Sequence, residues 1–478
     1  MRIGIDYRIL GVGPQLITRG MGRYTQQQLR EVLRVDQDDE YVLLCNRGDD
    51  LSLVDAEIRD AENVSVRYFD ASLQRLERLG AEGTLRRTER FQAWVHSLDL
   101  DLYHATTPLA LTEPQLIRFD ACPMVATFYD VIPLLYPAAY LDEWGNRGDW
   151  MRTLRLIRGA ARLLAISNAA RDDAREHLGV AADRIDVAYP FPEPVFRTLS
   201  AAAAEKRAGA LDRRIRVPEE FVLAVTYPHH SKNVGVLLEA YALLPASLRT
   251  ELPLVICCHL DPQPRRALRA EVERLGIGDD TILTGLVSDD ELCLLYNRAT
   301  MVVHPSRYEG FGLPVAEAMR CGAPVITTTA SSLPEIAGDA GVLVDPDDPA
   351  EFADAMARLA HDRAAREALR WKGLAQSARF TGAALAHATL RSYRAAIADA
   401  GAVSAVDAAS PDGTSRLRVA MWTPVPPHPT GVAGYAVGLV DALAPACDVE
   451  LFVDDDVLPD DDLLERVVIH HHTAFDRR

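Results

Sequence analysis

Tyr308-Glu309-Gly310-Phe311-Gly312-Leu313-Pro314-Val315-Ala316-Glu317-Ala318-Met319 is the stretch that decides how this chain is read. It follows an apolar run, Thr300-Met301-Val302-Val303-His304, that Pro305-Ser306 bring to an end. Two carboxylates, Glu309 and Glu317, stand on either side of a glycine-broken turn. Gly310 and Gly312 carry no side chain, so the backbone there can approach a ligand closely. Pro314 suits the first position of a helix, where its missing N–H costs nothing. Glu317 is then expected in the first helical turn, with Gly322 as the helix stop. The free N–H groups of such a helix start suit an anion such as a diphosphate. The two ionised carboxylates suit sugar hydroxyls, which donate well to charged acceptors.

Working outward, the 478 residues correspond to about three domain-sized units. Hydrophobic content is 48% and mean hydropathy is −0.04, the balance of a soluble globular chain with several cores. No apolar run reaches the ~18 residues of a membrane span. The start, Met1-Arg2-Ile3-Gly4-Ile5-Asp6, has a strand pattern rather than a long signal-peptide apolar region. A cytoplasmic location is expected. A net charge of −18 argues against nucleic-acid binding, which depends on basic side chains at phosphates. It leaves room for peripheral contact with the inner face of a membrane. The seven cysteines have no metal-ligand spacing and read as reduced thiols. Only Lys206, Lys232 and Lys372 among the 51 basic side chains are lysines.

Apolar β-like runs alternate with helical patterns over most of the length, which implies parallel sheets with helices on both faces. The first set of strands is Arg2–Asp6, Tyr41–Cys45, Val64–Tyr68, Leu102–Ala105, Met124–Phe128, Leu163–Ile166 and Arg184–Ala188. The second is Phe221–Val225, Leu254–Cys258, Thr281–Leu283, Met301–His304, Pro324–Thr327 and Gly341–Val344. Pro190-Phe191-Pro192-Glu193-Pro194 reads as a linker between them. This gives two Rossmann-like units, 1–190 and 215–380. A helical segment, 381–399, and an Ala/Ser/Asp/Gly-rich linker, 400–416, follow. Residues 417–478 restart the pattern. The strand Leu417–Met421 leads to the glycine loop Pro429–Tyr435, the helix Ala436–Leu443 and a second strand, Val449–Val453. The order matches Arg2–Ile5, Arg19–Tyr24, a helix and Tyr41–Cys45 near the N-terminus. The acidic runs 454–456 and 460–462 follow a strand and read as a solvated loop in a polar tail, while the histidine triplet 470–472 is a candidate only for adventitious metal and is assigned no function.

The segment Tyr308–Met319, with Ala323-Pro324-Val325-Ile326-Thr327-Thr328, Ser331-Ser332-Leu333-Pro334-Glu335 and Ala340–Pro346, resembles the retaining glycosyltransferases of family 4. That resemblance implies an α/β chain with the GT-B fold: two doubly wound Rossmann-like domains facing across a cleft. The acceptor would bind the first domain and the nucleotide sugar the second. The helix of 381–399 would cross back onto the first domain. Residues 417–478 then resemble the incomplete βαβ start of a second such module, which implies a longer tandem chain. The implied activity is a hexosyltransferase, moving mannose or a similar sugar from a nucleotide-diphosphate sugar to a glycan or polyprenyl-linked acceptor. Surface polysaccharide assembly (O-antigen or exopolysaccharide) is the implied setting. No metal or other cofactor is expected, the nucleotide sugar being a co-substrate. The alternative is a degenerate domain that binds a nucleotide sugar or serves as a scaffold.

The resemblance also distributes roles. Glu309 is expected at the transferred sugar and its developing positive charge. Glu317 is expected at the ribose. Gly310, Phe311, Gly312, Leu313 and Val315 would form the donor-binding loop and helix start. Lys232-Asn233, in Thr226-Tyr227-Pro228-His229-His230-Ser231-Lys232-Asn233, match a diphosphate-binding pair. The arginine that usually precedes that lysine is missing, and His229 or His230 is the candidate substitute. Gly285 and Leu286, in Thr284-Gly285-Leu286-Val287-Ser288, would contact the base. In Gly20-Met21-Gly22-Arg23-Tyr24, Gly20 and Gly22 suit close approach to donor phosphates, and Arg23 suits phosphate or acceptor. This loop lacks the third glycine of a dinucleotide-binding fingerprint, which argues against a dehydrogenase. His104, at a strand end, is a candidate for orienting an acceptor hydroxyl. Thr127-Phe128-Tyr129-Asp130 matches a family segment that often carries a histidine where Tyr129 stands. Tyr129 and Asp130 complete the candidate catalytic group.

Overall fold

The alternating apolar runs become strands of two parallel sheets in the computed structural model. It describes residues 1–13, 17, 20–70, 81–110, 122–142, 147–200, 202–205, 207, 211, 215, 217–258, 260–408, 417–422, 439–440, 442–443, 447–453 and 468–471. The first sheet comprises β1 (Arg2–Asp6), β2 (Glu40–Asn46), β3 (Val64–Phe69), β4 (Leu102–Ala105), β5 (Met124–Phe128), β6 (Arg162–Ala165) and β7 (Ile185–Val187). Their order is β3-β2-β1-β4-β5-β6-β7. The second comprises β8 (Val222–Val225), β9 (Leu254–Cys257), β10 (Thr281–Leu283), β11 (Met301–His304), β12 (Val325–Thr328) and β13 (Gly341–Val344). Their order is β10-β9-β8-β11-β12-β13. Every predicted strand in these two sets is present. Tyr41, Val42, Leu43, Leu44 and Cys45 are all buried, as expected where helices cover both faces of a sheet.

Each order reverses once, between β1 and β4 and between β8 and β11. Ligand crevices in open α/β sheets lie outside the strand C-termini at these switch points. Asp6 and Ala105 end the first pair, and Val225 and His304 end the second. The helices that matter for the site are α1 (Gly20–Val35), α2 (Asn168–Leu178), α3 (Asp289–Arg298), α4 (Leu313–Cys321), α5 (Leu333–Ala337) and α6 (Gly382–Ala408). In α6, Thr389 accepts from Gln28 at 3.0 Å and Tyr393 reaches His104 at 2.7 Å. That helix therefore lies against the first domain.

Three expectations need correcting. First, α6 continues to Ala408, into the segment read as a linker from 400. The alanines that made that segment look featureless are also the best helix formers. Second, Gly20–Tyr24 is not a loop, because Gly20 and Gly22 already belong to α1. Third, the described residues of 417–478 contribute three strands rather than two: β14 (Leu417–Trp422), β15 (Cys447–Val453) and β16 (Val468–His471), parallel and in that order. His470 and His471, assigned no function, are in β16. A small core of Val440, Val449 and Leu451 belongs to this sheet. The glycine loop of 429–435 and both acidic runs lie outside the described residues. No helix among the described residues is long and apolar enough to cross a membrane.

Candidate functional site

After β11 the chain turns through Pro305–Gly312 and enters α4. Gly312 caps the helix with φ 99°, a left-handed conformation that only glycine adopts freely. Pro314 lies in the first turn, and Gly322 ends the helix with φ 80°. Glu317 is the fifth helical residue, just past the first turn in which it was expected. Gly310 is required by proximity: a Cβ there would stand 2.5 Å from the carbonyl oxygen of Tyr129, in the first domain. The loop that carries Glu309 is thus seated directly against the other domain.

The two domains enclose a cleft of about 580 Å³. The first domain lines it with Gly20, Met21, Arg23, Tyr129, Asp130 and Ile166. The second supplies Thr226, Tyr227, Lys232, Gly285, Leu286, Glu309–Leu313 and Glu317. Lys232 ends a short turn after β8 and places Nζ 2.6 and 2.8 Å from the two Glu309 carboxylate oxygens. Ser306 Oγ donates to Glu309 at 2.7 Å, and His304 Nε2 lies 3.0 Å away. Burial alone would raise the Glu309 pKa; the Lys232 charge and the His304 hydrogen bond outweigh it and hold the carboxyl well below its usual range. Glu309 is thus favoured as an anion, in close contact with Lys232 Nζ.

The other carboxylates differ. Burial pushes Glu317 up to about 7, opposed by Arg23 and assisted by Asp289. Tyr296 donates to Glu317 at 3.2 Å. Arg23 Nη1 lies 3.7 Å from Glu317, while its Nη2 grips Asp289 at 2.9 and 3.0 Å. Asp130 is pushed up to about 6, chiefly by burial, and its carboxylate accepts from the Ile132 N–H at 2.9 Å. The Glu309 charge nearby adds to that rise. The cleft thus holds one fixed anion and two carboxyls that titrate near neutrality. Among the described residues, no group of His, Cys, Asp or Glu is arranged to hold a metal ion.

Several predicted site residues are elsewhere. His104 is buried on the face that α6 covers; its Nε2 meets Thr127 Oγ1 at 2.9 Å and its Nδ1 meets the Tyr393 hydroxyl at 2.7 Å. Burial drives its pKa down to about 3, so it is a neutral core residue and not an acceptor contact. Tyr129 borders the cleft, but its hydroxyl donates to the Thr106 carbonyl at 2.9 Å. Asn233 adopts a left-handed conformation and donates to the Pro346 carbonyl at 2.6 Å, away from the cleft. Val315 is fully buried in the core, and Gly22 is buried inside α1. Arg23 reaches carboxylates of the second domain. His229 pairs with the Tyr140 hydroxyl at 2.6 Å and His230 packs on Tyr136, and neither lines the cleft as a substitute arginine. The sequence reading did not assign His304, Ser306 or Asp289. His304 ends β11 and was visible as a polar residue in an apolar run, whereas Asp289 matters only through the fold.

Residues 18–192 match the family described as Glycosyltransferase Family 4, and residues 212–375 match Glycosyl transferases group 1. A D-inositol 3-phosphate glycosyltransferase of Segniliparus rotundus is 30% identical over 328 residues, covering 66% of this chain and 70% of that protein. The chain belongs to glycosyltransferase family 4. The serotype-specific mannosyltransferase WbdA of Escherichia coli is 33% identical over 270 residues, covering 56% of this chain. The match spans only 33% of the length of WbdA. Among solved structures, Anabaena Alr3699/HepE in complex with UDP and glucose aligns with a TM-score of 0.59 at 19% identity, covering 85% of this chain and all of that one. This family membership agrees with the two doubly wound sheets and their shared cleft.

Proposed function

We propose that this family 4 chain moves mannose or a similar hexose from a nucleotide-diphosphate sugar to a glycan or polyprenyl-linked acceptor, with retention of anomeric configuration, in surface polysaccharide assembly. The observation that carries the reading is the Lys232–Glu309 pair on the cleft wall, with Glu317 on the adjoining helix. In this reading the donor diphosphate lies between Lys232 and the N-terminus of α4, where free amides and the helix dipole favour negative charge. Glu317 accepts from the ribose hydroxyls. Gly285 and Leu286 border the base. Glu309 accepts from hydroxyls of the transferred sugar and stabilises positive charge as the anomeric bond to phosphate lengthens. The acceptor enters past Gly20–Arg23 and Asp130. It attacks the face that the phosphate leaves, and the departing phosphate oxygen takes its proton. The C–O bond to the acceptor forms as the C–O bond to phosphate breaks, so no protein base and no metal are invoked. Tyr129 is then a structural residue beside the reacting centre. Similarity to a named mannosyltransferase and to a structure holding UDP and glucose supports this choice of donor class.

The test is a thermal-shift and turnover screen of the full chain against GDP-mannose, UDP-glucose, UDP-N-acetylglucosamine and dTDP-rhamnose, repeated with Glu309→Ala and Lys232→Ala. Stabilisation by one donor that both variants lose, with nucleotide release in the parent, is the expected result. A donor that binds without turnover under every acceptor tried would favour a binding or scaffold module, a reading consistent with the missing arginine before Lys232. If no donor shifts the melting curve, the donor site is wrong.

A further inference from the structure

The segment Ser331–Glu335 ties the Glu309 loop to the opposite domain. Ser331 Oγ accepts the Glu309 N–H at 2.8 Å. Ser332 Oγ lies 2.9 Å from the Glu309 carbonyl and 2.8 Å from the Phe311 carbonyl, sharing its hydrogen between them. Three residues on, in α5, Glu335 reaches across to α2. Its Oε1 accepts the Ala169 N–H at 3.0 Å. Its Oε2 accepts the Asn168 N–H at 3.2 Å, the Asn168 side-chain amide at 2.8 Å and the Tyr189 hydroxyl at 2.8 Å. The third amide of that helix start, Ala170 N–H, is taken by Ser167. A carboxylate from one domain thus neutralises the positive end of a helix in the other, where a negative charge is most favoured. Tyr308, beside Glu309, donates to Asp173 on the same helix at 2.6 Å.

We infer that Glu335 is a positioning residue for sugar transfer, making closure of the cleft and alignment of the Glu309 loop a single event; this rests on the glycosyltransferase reading above. Glu335 is not among the residues that line the cleft. Its grip on α2 holds Ile166, the residue just before Ser167, whose Cδ1 stands 3.0 Å from the Cβ position of Gly310. Through Ser331 and Ser332 the same segment fixes the backbone of Glu309 and Phe311. A loosened clamp would leave the donor contacts of the second domain intact but let the acceptor side drift and water enter.

The experiment compares the full chain with Glu335→Gln, which keeps size and one acceptor oxygen but removes the charge, and with Glu335→Asp as the shorter acid. Transfer and donor hydrolysis are measured separately, together with backbone hydrogen exchange. Glu335→Gln should lower kcat for transfer about tenfold, leave donor KM within about twofold, and raise the share of donor lost to hydrolysis. Amides at the start of α2 should exchange faster. An unchanged kcat, or transfer and hydrolysis falling together in proportion to lost folded protein, would overturn the inference. If the parent turns over no donor, the functional reading has failed, and exchange decides the clamp alone. Unchanged protection of the α2 amides in Glu335→Gln overturns it, and faster exchange supports it.

Discussion

Replacing Lys232 by alanine would orphan the most strongly held charge in the cleft. Its Nζ lies 2.6 and 2.8 Å from the Glu309 oxygens, and the Lys232 side chain is 32% exposed while that of Glu309 is 10% exposed. Removing one partner of a fully buried pair costs about 3–5 kcal/mol, because the other charge stays buried. Here Ser306 and His304 remain on Glu309, and water reaches part of the site. A cost of about 2 kcal/mol is therefore expected at pH 7. For a domain of this size that corresponds to a fall of roughly 4–8 °C in the melting of the second domain. The sign of the pH dependence follows from Glu309. Its native pKa is depressed against burial by Lys232 and His304, so the pair stabilises fully above the ordinary carboxylate range and is lost as pH falls through the lowered value. In Lys232→Ala, burial dominates and the carboxyl titrates higher, so the deficit relative to the parent should shrink between pH 7 and pH 5. Lys232→Ala with Glu309→Gln removes the orphaned charge and should return to within about 1 kcal/mol of the parent. On the functional side, kcat/KM for the donor should fall by about 10²–10³ through loss of charge at the diphosphate. Scanning calorimetry at pH 5, 6 and 7 reads the coupling. An equal deficit at every pH, with additive losses in the double variant, would refute it.

Four further outcomes are expected. Gly310→Ala places a Cβ 2.5 Å from the Tyr129 carbonyl and should wedge the two domains apart, lowering transfer at least about tenfold; steady-state kinetics and small-angle scattering with bound nucleotide check this. His104→Ala strands the Thr127 and Tyr393 hydroxyls and should cost about 2–3 kcal/mol in urea unfolding while donor KM stays constant. Glu317, raised by burial to about 7, must be ionised to accept both ribose hydroxyls, so calorimetric donor affinity should weaken about tenfold from pH 8 to pH 6 and become flat in Glu317→Gln. Its contribution to folding runs the other way: stability is full below the ordinary carboxylate range and lost as pH rises through about 7. Dialysis against EDTA should leave the transfer rate within about twofold, and a loss restored by Mg²⁺ or Mn²⁺ would reject the metal-independent mechanism.

The sequence by itself determined the strands and the carboxylate frame. Doubly buried strands such as Val42–Cys45 leave continuous apolar runs, and turn residues such as Gly312, Pro314 and Gly322 act through backbone geometry that is local. For the same reason Glu309, Lys232 and Glu317 could be placed from spacing and resemblance. The tertiary structure decided which side chain turns into the cleft. His104 and Tyr129 stand at or just beyond strand ends near the switch point, yet one hydroxyl and one imidazole are consumed by core partners more than twenty residues away. Arg23 looked like a phosphate ligand until Asp289, 266 residues distant, answered it. Glu335 was legible as part of a motif, but its partner is the start of a helix 166 residues earlier in the chain. Local rules fix φ, ψ and periodicity. The partner of a charged side chain depends on which residues folding brings within about 3 Å, and separation along the chain carries no information about that.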